Sequence, residues 1–299
     1  MYVIATGGLI QSSAISSTIN QARDIISLLQ EMADPTAEGA VTSDIRAGLD
    51  AFFFRYGQAN RSRSRIGVGY SGGFGPLEEV LIHDGVAISS MVAIGAALVN
   101  VSDWLINKII TLLEAMDQGR YLDTGSILTE IKNAALGTVN LSAAIIEDIV
   151  AKVRSGLIEP ALTVLQMGLK DIIATFSPNI ELPSLTSTSA QYVVNVWGSK
   201  DILANLGIGG YRETISGKPA INIRIEGADH WDYMKGIKSE RLTDQKAKDW
   251  NDKVADFVAR LVIASKSQDE LNIFLADEIK RGFVNFDGKL YSVSLPNHP

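Results

Sequence analysis

Short apolar runs of strand character alternate with stretches of helical periodicity along this chain, and that alternation limits its fold most. Tyr2 to Ala5 is an apolar run ending in Thr6-Gly7-Gly8, which reads as a buried strand entering a tight loop. A helical pattern follows from about Ser16 to Met32, with Ile19, Ala22, Ile25, Ile26, Leu28 and Leu29 on one face, and Asp34-Pro35 breaks it. Asp44 reads as the N-cap of a second helix through Ile45, Leu49, Phe52, Phe53 and Tyr56. Ile66 to Tyr70 is the next strand, followed by Ser71-Gly72-Gly73 and a helix from about Pro76 to Ile82. Val86 to Val99 supplies a further apolar strand. Strands and helices in alternation predict an α/β fold, a mostly parallel sheet with helices on both faces.

From Asp103 to about Ser177 the period becomes helical almost without interruption. Leu105, Ile106, Ile109, Ile110, Leu112, Leu113 and Met116 make one stripe, and Ile127, Leu128 and Ile131 begin another. Ile145, Ile146, Ile149, Val150 and Val153 make a third, followed by Leu162, Leu165, Met167, Leu169, Ile172 and Ile173. Strand patterns return at Tyr192–Trp197 and Ile221–Glu226, and a long helix from about Asp244 to Ala264 turns Trp250, Val254, Phe257, Val258, Leu261 and Val262 inward. A helix near Asp269 to Arg281 and a hairpin from Phe283 follow, with Asp287-Gly288 suited to a type I′ turn. The expected organisation is a core of residues 1–102 and 178–265, a helical cap insertion at 103–177, and a C-terminal helix and hairpin at 266–299.

Composition narrows the function. The 299 residues are 46% hydrophobic and 20% charged, enough to bury a real core. A net charge of −7 argues against nucleic acid or an acidic membrane as partner. The basic run Arg61 to Arg65 is too short to be a binding footprint. With no cysteine, disulfides, thiolate catalysis and cysteine metal sites are excluded. That absence and an N-terminus without a basic region slightly favour the cytoplasm. The uncharged stretch Gly85 to Ser102 has the minimum length of a membrane span, but its Ser, Asn and Gly residues suit a buried strand with flanking turns. No transmembrane segment is expected.

Gly69-Tyr70-Ser71-Gly72-Gly73 matches G-x-S-x-G, the strained strand-to-helix turn that presents a nucleophilic serine. In a chain with 26 glycines the pentapeptide alone says little. Its setting says more, because it lies between a strand and a helical pattern. A later strand ends in Val196-Trp197-Gly198-Ser199-Lys200-Asp201, and another in Glu226-Gly227-Ala228-Asp229-His230. Each places a candidate side chain just beyond its C-terminal end. Of the three histidines, His298 lies in the terminal tail and His83 ends a helix. Asp229 and Asp232 flank His230, yet a carboxylate so near in sequence rarely reaches back to the ring, so Asp201 is preferred.

On these residues the chain resembles the α/β-hydrolase family, in particular its lipases and esterases, over Tyr2 to about Met234. The order Ser, Asp, His along the chain is that family's order. The resemblance implies Ser71 as nucleophile, His230 as general base and Asp201 as its orienting acid. It also implies oxyanion donors in the backbone N–H of Gly72 and, aligning Thr6-Gly7-Gly8 with the family's His-Gly-x, of Gly8. Thr6 stands where many members carry histidine. The chain starts at the strand before that loop, so it is either a minimal version of the fold lacking the first two strands or a piece of a longer polypeptide.

The implied activity is hydrolysis of a small-molecule carboxylic ester with an apolar acyl or alcohol part, lipid-like esters included, by a serine hydrolase with no cofactor or metal. Other readings are an amidase, peptidase or thioesterase on the same scaffold, or a non-catalytic module that binds a partner protein. Gly67-Val68-Gly69-Tyr70-Ser71-Gly72 also fits G-x-G-x-x-G, but only Ile66 stands before it as strand and no acidic residue ends the next strand, so a dinucleotide site is rejected. Gly217-Lys218 lacks the rest of a phosphate loop, and the sequons at Asn60, Asn100 and Asn140 decide nothing.

Overall fold

The computed structural model describes residues 2–6, 65–83, 88–98, 103–134, 141–176, 190–233 and 244–296. The helices expected within 16–56 and the loop carrying Gly8 lie outside them. The chain divides into two compact units, Met1–Leu98 with Leu182–Pro299, and Val99–Glu181.

The first unit is built on a sheet of β1 (Tyr2–Thr6), β2 (Arg65–Tyr70), β3 (Ser90–Ile94), β4 (Val193–Gly198), β5 (Thr214–Ile215), β6 (Lys218–Ile225), β7 (Val284–Phe286) and β8 (Leu290–Val293). The order across it is β1-β2-β3-β4-β6-β8-β7, with β5 paired to β6 off that path. From β1 through β8 along this path every pairing is parallel, and β7 and β5 are antiparallel additions. This is the mostly parallel sheet expected of an α/β fold. The uncharged stretch from Gly85 contributes β3, a strand in the middle of the sheet. Among the described residues no helix is long and apolar enough to cross a membrane.

Both sheet faces are covered, so the central strands read as continuous apolar runs. On one face Val68, Val92, Ile94, Val194, Val196 and Ile223 form a core with Trp250, Val254, Phe257 and Leu261 of α7 (Gln245–Ala264). The alternate residues Met91, Ala93 and Val193 pack with Phe74, Leu77 and Leu81 of α1 (Phe74–His83) on the other. Gly67 and Gly69 belong to this second face. A β-carbon at Gly67 would meet Leu81 at 3.1 Å, and one at Gly69 would meet the Phe74 Cα at 2.6 Å. The glycines that mimic a dinucleotide fingerprint therefore serve the close approach of α1 to β2.

The second unit contains α2 (Asp103–Asp117), α3 (Tyr121–Ala134), α4 (Ala143–Arg154) and α5 (Ile158–Phe176). Each packs on the next, and α5 returns to α2. Leu105, Ile109, Leu112, Leu128, Ile131, Ile149, Leu165 and Leu169 are buried as their periodicity predicts. Met167 is 74% exposed, because two residues from both Leu165 and Leu169 it falls on the opposite side of the helix.

The C-terminal helix α8 (Gln268–Lys280) packs on α7, and the hairpin joins the same sheet, β8 lying parallel to β6. Its turn differs from the expectation. The Asp287 N–H donates to the Leu290 carbonyl at 3.3 Å, so Gly288 and Lys289 are the central residues. Gly288 has φ +94°, and Lys289 is not among the positive-φ residues. Type I′ needs a positive φ at both central positions, so this turn is not one, and glycine serves the single positive φ.

Candidate active site

Three strand ends build the site. β2 stops at Tyr70, and Ser71–Gly73 form one turn of 3-10 helix leading into α1. Ser71 has φ +55°, a left-handed conformation that costs a side-chain-bearing residue about 1–3 kcal/mol. Packing holds it there. Gly69 lets the Phe74 backbone close over the turn, and the Ser71 carbonyl accepts the Ala97 N–H at 3.2 Å from the loop after β3. Gly72 is the middle residue of that turn.

Asp201 follows β4 and caps the single turn α6 (Ile202–Asn205), its Oδ1 accepting the Leu203 N–H at 2.9 Å. His230 lies in the turn after β6. The two turns meet through backbone: the Lys200 N–H donates to the Ala228 carbonyl at 2.9 Å, and the Ser199 N–H to the Ile225 carbonyl at 2.9 Å. Gly198 makes this approach possible, since a β-carbon there would stand 2.0 Å from the Ala228 carbonyl oxygen.

The three side chains singled out in the sequence come together. His230 Nε2 is 3.0 Å from Ser71 Oγ, and His230 Nδ1 is 3.1 Å and 3.2 Å from the two oxygens of Asp201. All three residues are buried. An ionised carboxylate can only accept, so Nδ1 carries the proton and Nε2 is left to accept the Ser71 hydroxyl. Such an arrangement can take a proton from the serine as it attacks and hold the charged ring that results.

Asp229 and Asp232 have other partners. The Asp229 carboxylate accepts the Trp231 N–H at 2.9 Å, and Asp232 accepts the Asp229 N–H at 2.8 Å and the Asn251 side-chain amide at 3.0 Å. They shape and anchor the turn that carries the histidine. Gly8 lies outside the described residues.

Sequence reasoning missed the groups that enclose these three. Tyr233 donates its hydroxyl to Asp201 Oδ2 at 2.6 Å and accepts the Gly198 N–H at 2.5 Å. Burial first, then the charge of Asp201, hold its phenol well above the ordinary value near 10, so it stays a donor. Tyr70 stacks on the imidazole, with centroids 5.2 Å apart and planes 25° from parallel, and donates its hydroxyl to the His230 carbonyl at 2.7 Å. Gly95, at φ +49°, has room for no β-carbon: one would stand 2.7 Å from Tyr233, 2.8 Å from Asp201 and 3.3 Å from His230. Tyr70 stands next to Ser71 inside its motif and Tyr233 three residues after His230, the one local signal available. Gly95 carries none.

Among the described residues no group of three or more His, Asp or Glu side chains is placed to hold a metal ion. No family model matches the chain, and no curated protein matches it. Similar solved structures include a bromoperoxidase from Bacillus anthracis, at 16% identity over 85% of this chain and 89% of that one, with a TM-score of 0.38. An esterase from Thermogutta terrifontis is 12% identical over 85% and 90% of the two chains, with a TM-score of 0.35. A monoacylglycerol lipase from Paleococcus ferrophilus is 11% identical over 88% and 94%, with a TM-score of 0.38. Likenesses this distant carry nothing about activity, and the fold assignment stands on sheet order and register.

Proposed function

We propose that this protein is a serine hydrolase that cleaves carboxylic esters through an acyl-enzyme on Ser71. The observation that carries the reading is the unbroken contact from Ser71 Oγ to His230 Nε2 at 3.0 Å and from His230 Nδ1 to Asp201 at 3.1 Å, starting from a serine held at φ +55°. A serine that merely filled a glycine turn would have no call for a strained backbone aimed at a buried imidazole.

In the proposed reaction Ser71 Oγ attacks the ester carbonyl carbon as its proton passes to His230 Nε2. Asp201 stabilises the imidazolium, and the Gly72 N–H, with that of Gly8 in the sequence reading, receives the developing oxyanion. Collapse expels the alcohol, which takes the proton from His230. Water then attacks the acyl-enzyme with His230 again as base, releasing the acid and restoring the serine.

A fluorophosphonate should label the folded protein stoichiometrically. Labelling should vanish in Ser71→Ala and slow by at least about 10³-fold in His230→Ala, the scale of losing a triad member. Folded wild-type protein that takes up no label would refute the hydrolase reading. The ester class and an apolar preference are tested separately: p-nitrophenyl esters of increasing acyl length should turn over faster than the matching anilides, with kcat/KM rising with chain length.

A further inference from the structure

A triad acid must present a fixed carboxylate edge to its histidine, and here both oxygens are held by different parts of the chain. Oδ1 takes the Leu203 N–H from its own turn, whereas Oδ2 takes the hydroxyl of Tyr233, 32 residues away. We infer that Tyr233 is a positioning residue for the triad, its hydroxyl fixing the rotation of the Asp201 carboxylate against His230 and drawing off part of its charge. The inference rests on the hydrolase reading above.

The direction of the hydrogen bonds supports the role. The Gly198 N–H can only donate, so it occupies a lone pair of the Tyr233 oxygen and leaves the phenol proton for Asp201. Tyr233 is 3% exposed, so bulk water competes poorly for that bond. The ring lies edge-on to His230, with centroids 6.4 Å apart and planes at 83°, and edge-on to Tyr70 at 6.3 Å and 72°. Among the described residues the titratable groups facing the phenol are therefore Asp201, His230 and Tyr70. Gly95 approaches so closely that no β-carbon fits between it and the ring.

Chemistry follows from the charge. A donor at Oδ2 makes the carboxylate a weaker acceptor for the His230 Nδ1–H while keeping it in register. In Tyr233→Phe the carboxylate becomes a stronger but looser acceptor. The imidazolium is then better stabilised, and the acidic limb of the kcat/KM profile moves to higher pH by about half a unit. Loss of orientation lowers kcat about tenfold with KM nearly unchanged, the scale of one hydrogen bond to a charged group. A purely structural tyrosine would reduce the folded fraction and leave the limb where it was.

The test measures pH profiles for p-nitrophenyl acetate hydrolysis in wild type, Tyr233→Phe and a protein carrying 3-fluorotyrosine at position 233. The fluorinated ring keeps the shape and strengthens the donor, so its limb should move to lower pH, opposite to Phe. If the Phe variant does not fold, the fluorinated protein carries the test alone. The far-downfield proton resonance of the His230 Nδ1–H gives a readout independent of turnover, moving further downfield in Phe and upfield in the fluorinated protein. A protein that hydrolyses no ester but shows these shifts would lose the hydrolase reading and keep the positioning role. An unmoved limb and an unmoved resonance in the folded variants would overturn the inference.

Discussion

Ser71 occupies a backbone conformation that glycine adopts freely and a side-chain-bearing residue does not, and the turn imposes it through Gly69 and the Ala97 hydrogen bond. The strain separates cleanly from the chemistry when two variants that both lack the hydroxyl are compared. Ser71→Gly should be more stable than Ser71→Ala by about 1 kcal/mol, because alanine keeps the β-carbon that opposes φ +55°. Urea unfolding of the two proteins measures the difference, and equal midpoints would mean that the turn relaxes at no cost. Both should be inactive. The stability surrendered at this residue keeps the hydroxyl pointed at His230 Nε2.

At the scale of elements, the site depends on how closely the turns after β4 and β6 approach. Gly198→Ala would put a β-carbon 2.0 Å from the Ala228 carbonyl oxygen and 2.5 Å from its carbon, both backbone atoms without freedom to step aside. One turn has to move, and Asp201 or His230 moves with it. Ester hydrolysis should fall by at least about 10²-fold, as misplacement of about 1 Å can cost that much. Gly207→Ala is the control: at φ +78° with nothing within 4 Å it should cost stability and leave kcat/KM near wild type. Equal activity of the two variants would show that this approach is not what holds the site. The difference between these glycines also marks what a sequence discloses. Ser71, Asp201 and His230 were legible because each falls shortly beyond the C-terminal end of an apolar strand, the edge where an open parallel sheet places its sites. Gly198 and Gly95 were not, since their demand comes from atoms distant in sequence: the Ala228 carbonyl in one case, Tyr233, Asp201 and His230 in the other. Among the described residues periodicity found the long helices and central strands, but not the pairing of the C-terminal hairpin with β6, nor the turn at Gly288, which depends on which residues close the ladder.

For the molecule as a whole, the buried phenol of Tyr233 ties stability to pH in a calculable way. Burial, then the charge and hydrogen bond of Asp201, hold it well above its ordinary value near 10 in the folded protein. Unfolding returns it to that ordinary value. Below pH 10 both states keep the proton and the contribution is constant. Above pH 10 the unfolded chain ionises first, so the folded state binds more protons and stability falls as pH rises. Relative to Tyr233→Phe, the wild type should lose stability by up to about 1.4 kcal/mol by pH 11, the most that one proton bound by the folded state alone can contribute over one pH unit. Tyr192 is raised by burial too, but both proteins carry it, so its share cancels. At pH 8 the Phe variant should be the less stable, because the buried Gly198 N–H and Asp201 Oδ2 each lose a partner. The gap between the proteins should therefore narrow as the solution is made alkaline, measured by urea unfolding at pH 8, 10 and 11. A gap that stays constant across that range would mean that Tyr233 does not remain a protonated donor in the folded protein, and the carboxylate of Asp201 would then need another account of how it is held.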